Sequence, residues 1–152
     1  MGFKNQRPEK WVEHECLLWM RSQGWDVNIF DSKATYSKAL KMYVKNRYMP
    51  TGVSDCCGNM KNGIAVYVEF KAPGRLAGFW NKDNIDQQSF LLAKINSNAF
   101  AVVVDSAERL SQIYNDYVKV RADYLNPETT KEFLIKSLPK KPSAPKVKEP
   151  TP

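Results

Sequence analysis

The sequence predicts an α/β domain, with helices layered on both sides of a mixed central sheet. Three observations carry that prediction. The uninterrupted apolar run Phe100-Ala101-Val102-Val103-Val104 has the composition of a strand covered on both faces. Two strand-like segments flank the turn signal Asn62-Gly63. Segments with helical punctuation precede, separate and follow those strands.

Taken in order, Pro8 to Gln23 reads as a helix that starts at its proline and stops at Gly24. Its apolar residues (Trp11, Val12, Cys16, Leu17, Leu18, Trp19, Met20) cover more than one stripe, so it is expected to pack deeply. Trp25 to Ile29 alternates like a strand. From Ser32 to Thr51 the chain carries Lys33, Lys38, Lys41, Lys45 and Arg47 with no acidic residue, interleaved with Tyr36, Tyr43 and Tyr48. A short helix over Ser37 to Val44 is the local reading. A hairpin follows, Val53–Met60 against Ile64–Phe70, and then an irregular Gly/Pro loop over 72–78. Ile85 to Asn96 reads as a helix before the buried strand. Asp105 and Glu108 form a capping-box-like pair that opens a helix to Val120. Asn126-Pro127 starts the last helix, through Ser137.

Residues 138–152 hold five prolines and no apolar pattern, so a disordered Lys/Pro-rich tail is expected after a single domain at 1–137. At 152 residues the chain is long enough for one real core. No run approaches a membrane span, and Met1 to Arg7 lacks the apolar stretch of a signal peptide. Three cysteines, two of them adjacent, do not make a disulfide framework. The cytoplasm is the expected compartment, or the host cytoplasm for a viral protein. There is no phosphate-binding or dinucleotide glycine motif, no Cys-x-x-Cys pair, and a single histidine, His14. The net charge of +7 divides into +3 on the tail (four lysines, one glutamate) and +4 on the body. Such a surface favours a polyanion.

The chemistry concentrates on the hairpin. Glu69 and Lys71 share one face of a strand, since side chains alternate. A two-residue loop at Asn62-Gly63 would pair Asp55 with Phe70 and turn the aspartate away. A three-residue loop, Lys61-Asn62-Gly63 with Gly63 left-handed, would pair Asp55 with Glu69. In that register two carboxylates would repel each other unless a cation lay between them, and Mg2+ or Mn2+ suits oxygen ligands. The bland alternative makes Asp55 a turn residue and Glu69–Lys71 a solvent-facing pair. Lys38, Lys41, Lys45, Arg47 and Arg75 are candidate nucleic-acid contacts, the first four being otherwise part of a solvated excursion. Arg75 and Lys82 flank the pair Phe79-Trp80, which reads as core packing, a dimer contact or a wedge into distorted DNA.

The ordered set of motifs resembles the PD-(D/E)XK nucleases, and among them the virus-type replication–repair nuclease (VRR-NUC) domain. The residues that carry the likeness are Glu13 before Gly24, then Gly52-Val53-Ser54-Asp55, then Glu69-Phe70-Lys71 with Gly74. Gln87 with Phe90-Leu91 follows, and finally 99–106 around the apolar strand. Ser54 stands where proline is commoner, and Asn98 where glycine is frequent. The resemblance implies a restriction-endonuclease-like fold and a metal-dependent deoxyribonuclease. Asp55, Glu69, Glu13 and the Phe70 carbonyl would be metal ligands, with Lys71 serving the attacking water and Gln87 supporting the site. Glu15 and Gln88 are second choices for Glu13 and Gln87. Two other functions fit the same residues: a catalytically silent nucleic-acid-binding module, and a Holliday-junction-resolving endonuclease, which would require a homodimer.

Overall fold

The computed structural model describes residues 8–30, 35–44, 52–123 and 126–142. Helix α1 (Pro8–Ser22) buries Val12, Cys16 and Met20, one residue per turn along a single stripe. It ends as the sequence predicts. The Trp25 N–H donates to the Met20 carbonyl and the Gly24 N–H to that of Arg21, the double bond of a Schellman stop.

Four strands build the central sheet: β1 (Asp26–Ile29), then β4 (Cys56–Asn59), β5 (Ala65–Phe70) and β6 (Phe100–Val104), in the spatial order β1-β4-β5-β6. The β1–β4 and β4–β5 pairs are antiparallel and β5–β6 is parallel, so the sheet is mixed. Every residue of β6 is buried, as its unbroken apolar run requires. Helices α1 and α3 (Ala107–Asp123) cover one face through an aromatic cluster. In it Trp19 meets Trp25 and Tyr114 at 5.4 and 5.7 Å, and Phe100 meets Tyr117 at 4.9 Å between centroids. Helix α2 (Ile85–Asn96) covers the other face, its Phe90 edge-on to Tyr67 at 5.6 Å. Helix α4 (Pro127–Ser137) starts at its Asn126 cap and buries Leu134. Among the described residues no helix is long and apolar enough to cross a membrane.

Four local expectations are corrected. Residues 37–44 are not a helix: β2 (Thr35–Ser37) and β3 (Met42–Val44) form an antiparallel two-stranded ribbon closed by the turn between them. Thr, Tyr and Val favour strand, the intervening stretch is too short to nucleate a helix, and Lys41 takes a left-handed φ of 51°. The cap of α3 is Ser106, whose Oγ accepts the Arg109 N–H at 3.0 Å. Asp105 is engaged elsewhere, accepting the Gly74 N–H at 3.1 Å, and α3 runs on to Asp123. The loop after β5 becomes regular at Leu76, where a 3-10 turn (Leu76–Trp80) begins. Finally, the chain stays packed past Ser137. Leu138 is buried, the Trp80 indole N–H donates to the Pro139 carbonyl, and the Lys141 ammonium lies 4.7 Å from the Trp80 ring centroid. The remainder of the expected tail, 143–152, lies outside the described residues.

Candidate functional site

The turn between β4 and β5 decides the site. Met60 N–H donates to Ile64 O at 2.8 Å and Gly63 N–H to Met60 O at 2.9 Å, enclosing Lys61-Asn62-Gly63 as a three-residue loop. Gly63 takes φ 89°, a conformation that side-chain-bearing residues avoid. The resulting register pairs Cys56 with Val68, so one step further Asp55 stands opposite Glu69. Of the two registers open to the sequence, this is the one that puts both carboxylates on one face.

Asp55 is fixed by Phe70, whose N–H donates to Oδ2 at 3.0 Å, and by its own carbonyl, which accepts the Phe30 N–H at 2.8 Å. Lys71 continues β5, its N–H donating to Val104 O at 2.9 Å. That keeps its side chain on the face of Glu69, with Nζ 3.7 Å from Glu69 Oε1. Glu69 is only 3% exposed. Burial, then the charge of Asp55, push its carboxyl up to about 8, against the pull of Lys71 and the Asp55 backbone N–H. Asp55 is also raised, chiefly by burial, with the Phe70 N–H opposing and Glu9 and Glu13 adding repulsion. Two adjoining carboxyls that resist ionisation are the donor chemistry a hard divalent cation relieves. Mg2+ is commonly held by one or two carboxylates and keeps several waters.

Around this pair the helices contribute unequally. Glu13 is within electrostatic reach of Asp55, but its carboxylate is paired with Lys10 at 3.3 Å. Glu15 is exposed and adds its charge to Cys16, not to this pair. Among the described residues, no three His, Cys, Asp or Glu side chains are grouped so as to hold a metal ion. The structure thus brings Asp55, Glu69 and Lys71 together and leaves Glu13 on the flank. Glu9, one turn before Glu13, repels both Asp55 and Glu69. Sequence reasoning passed over it, although its i, i+4 spacing from Glu13 places the two on one stripe.

Gln87 is held near by glycine. Gly52, at φ 81°, packs its backbone on the start of α2, where a Cβ would overlap the Asp86 carbonyl and approach Gln87 N to 2.7 Å. The loop that leads to Asp55 therefore starts against the Asp86–Gln87 backbone. Gln87 Oε1 is buried and has no hydrogen-bond partner among the described residues. Gln88 differs: its Nε2 donates to the carbonyls of Phe79 at 2.8 Å and Asn81 at 3.1 Å, bracing the preceding loop.

The expected DNA contacts scatter. Lys38 and Lys41 are exposed on the β2–β3 turn, Arg75 is exposed on the loop after β5, and Lys45 and Arg47 lie outside the described residues. Phe79 is fully buried, so the Phe79-Trp80 pair packs rather than projects. The three cysteines are free thiols and His14 is exposed. No protein family, curated protein or solved structure matches the chain.

Proposed function

We propose that this protein is a Mg2+- or Mn2+-dependent nuclease that hydrolyses DNA phosphodiester bonds. The observation that carries the reading is Asp55 opposite Glu69 on one desolvated face, with the Lys71 ammonium 3.7 Å from Glu69. Asp55 and Glu69 would hold the ion, joined by the Phe70 carbonyl and, on rearrangement of its Lys10 pair, Glu13. Such an ion polarises a phosphoryl oxygen and acidifies a bound water. Lys71 would position the attacking water and offset negative charge developing on the phosphate. Gln87 Oε1, an acceptor without a donor, would receive a hydrogen bond from that water. The mixed sheet with its parallel β5–β6 pair and flanking helices is compatible with a restriction-endonuclease-like fold, and VRR-NUC membership rests on the motif order alone.

The test is incubation with linear, nicked, flapped and four-way-junction DNA in Mg2+, Mn2+ or EDTA. Cleavage is expected with either ion and not in EDTA. Asp55→Ala, Glu69→Ala and Lys71→Ala should each lower the rate by roughly a hundredfold or more while the protein stays folded, since they serve the reaction rather than the apolar core. Wild-type rates in Glu69→Ala and Lys71→Ala would remove the assignment from this hairpin. Binding without cutting in either ion would leave a silent binding module, and symmetric junction cleavage by a dimer would identify a resolvase.

A further inference from the structure

The face that carries Asp55 and Glu69 continues beyond them. Two residues back along β5, Tyr67 points to the same side, opposite Cys57. Helix α2 must run against the direction of β5, because it returns the chain from the end of that strand to the start of the parallel β6. Gln87, beside the Asp55 loop, and Lys94, beside Tyr67, lie two turns apart on one stripe of α2, about 10 Å along its axis.

Lys94 is held there by two aromatic rings. Its ammonium lies 4.9 Å from the Tyr67 ring centroid and 5.1 Å from that of Phe90. Ring faces attract and immobilise a cation without neutralising it. Among the described residues Lys94 has no carboxylate within ion-pair distance, whereas Lys10, Lys71 and Lys131 each have one. Lys94, Tyr67, Phe90 and Cys57 all stay partly open to solvent. A fixed, unneutralised and accessible cation beside the carboxylate pair is suited to an anion that extends along the face.

We propose that Lys94 is a phosphate clamp, binding the DNA strand within about three nucleotides of the scissile phosphodiester. About 10 Å of helix spans at most about three steps, reached when the duplex axis, rising 3.4 Å per nucleotide of one strand, runs parallel to α2. The inference rests on the nuclease reading of the Asp55–Glu69 face, and binding measurements separate the two.

DNA affinity is measured in EDTA across a salt series for wild type, Lys94→Met and Lys94→Arg, with cleavage followed in Mg2+. Lys94→Met keeps the apolar stem and should weaken binding about tenfold, the loss of one charge-assisted bond. It should also lower the salt slope by about 0.9, the share of a single phosphate. Lys94→Arg should restore both. A second arm uses wild-type protein and DNA carrying one neutral methylphosphonate at successive positions. Affinity should dip at a single site within about three steps of the cut, and Lys94→Met should be insensitive to that substitution. Inorganic phosphate at equal concentration should not compete, because the clamp acts within an extended strand. An unchanged slope for Lys94→Met, no position-specific dip, absence of DNA binding by wild type, or equal competition by inorganic phosphate would overturn the clamp. DNA that is bound with the dip but never cut would overturn the nuclease reading and leave the clamp standing.

Discussion

Glu69 illustrates how a single side chain ties the fold to a cation. Folded, its carboxyl titrates near 8; the ordinary value is 4.5. Between those values the folded chain holds a proton that the unfolded chain has released. The contribution of Glu69 to stability is therefore complete below about 4.5 and is lost as pH rises toward about 8. Asp55, also raised, adds in the same direction. In EDTA the melting temperature should fall between pH 5 and pH 8.5, and Glu69→Gln should flatten that decline. Mg2+ should raise the melting temperature more at pH 8 than at pH 5, where it must displace a proton. A Glu69→Gln protein that keeps the wild-type slope would show that the carboxyl does not titrate in this range. Asn98 makes a quieter point at the same scale. At φ 68° it closes α2 in the left-handed position where glycine is frequent, a conformation asparagine tolerates best among the other residues.

At the level of elements, the site depends on two joints, the β4–β5 turn and the contact of Gly52 with α2. Gly52→Ala would combine a left-handed alanine with overlap on backbone atoms of Asp86, which cannot swing aside as a side-chain tip could. The expected loss is about 2–4 kcal/mol by urea denaturation, with a further fall in cleavage as Gln87 separates from Asp55. A loss under about 0.5 kcal/mol, within the range of neutral surface changes, would mean that this contact does not hold the loop. The hairpin was legible in sequence because Asn62-Gly63 and strict alternation bound the answer to two registers, and the turn geometry chose one. The β2–β3 ribbon was not, since three-residue strands have too little periodicity to compete with a helical spacing of apolar residues. The Ser106 cap was missed because Asp105 offers the same capping chemistry one residue earlier, and its tertiary bond to Gly74 cannot be seen locally. Glu9 was hidden for a similar reason: an acidic residue in a first helical turn already has an explanation in the helix dipole.

Across the whole molecule, a positive excess coexists with a local gathering of carboxylates. The net charge is +7, yet Asp55, Glu69, Glu9 and Glu13 converge at one place and would repel phosphate unless a divalent cation intervened. Without that ion, DNA affinity must come from cations around and beyond the carboxylates. Among the described residues the β2–β3 ribbon forms a sheet separate from the central one, and it exposes Lys38 and Lys41 beside Leu40 and Met42. A cationic turn with exposed apolar residues can grip a backbone and rest on sugars or bases. Neutralising Lys38 and Lys41 to glutamine, and then Lys45 and Arg47, should flatten the dependence of log affinity on log salt by about 0.9 for each phosphate contact removed. Cleavage at saturating DNA should stay near wild type, because none of the four belongs to the Asp55–Glu69–Lys71 set. If the salt slope stays constant through all four substitutions, the ribbon is a structural excursion and the phosphate contacts lie on the sheet face instead. A fall in the saturated rate with an unchanged slope would show that the ribbon acts on the chemistry rather than on binding.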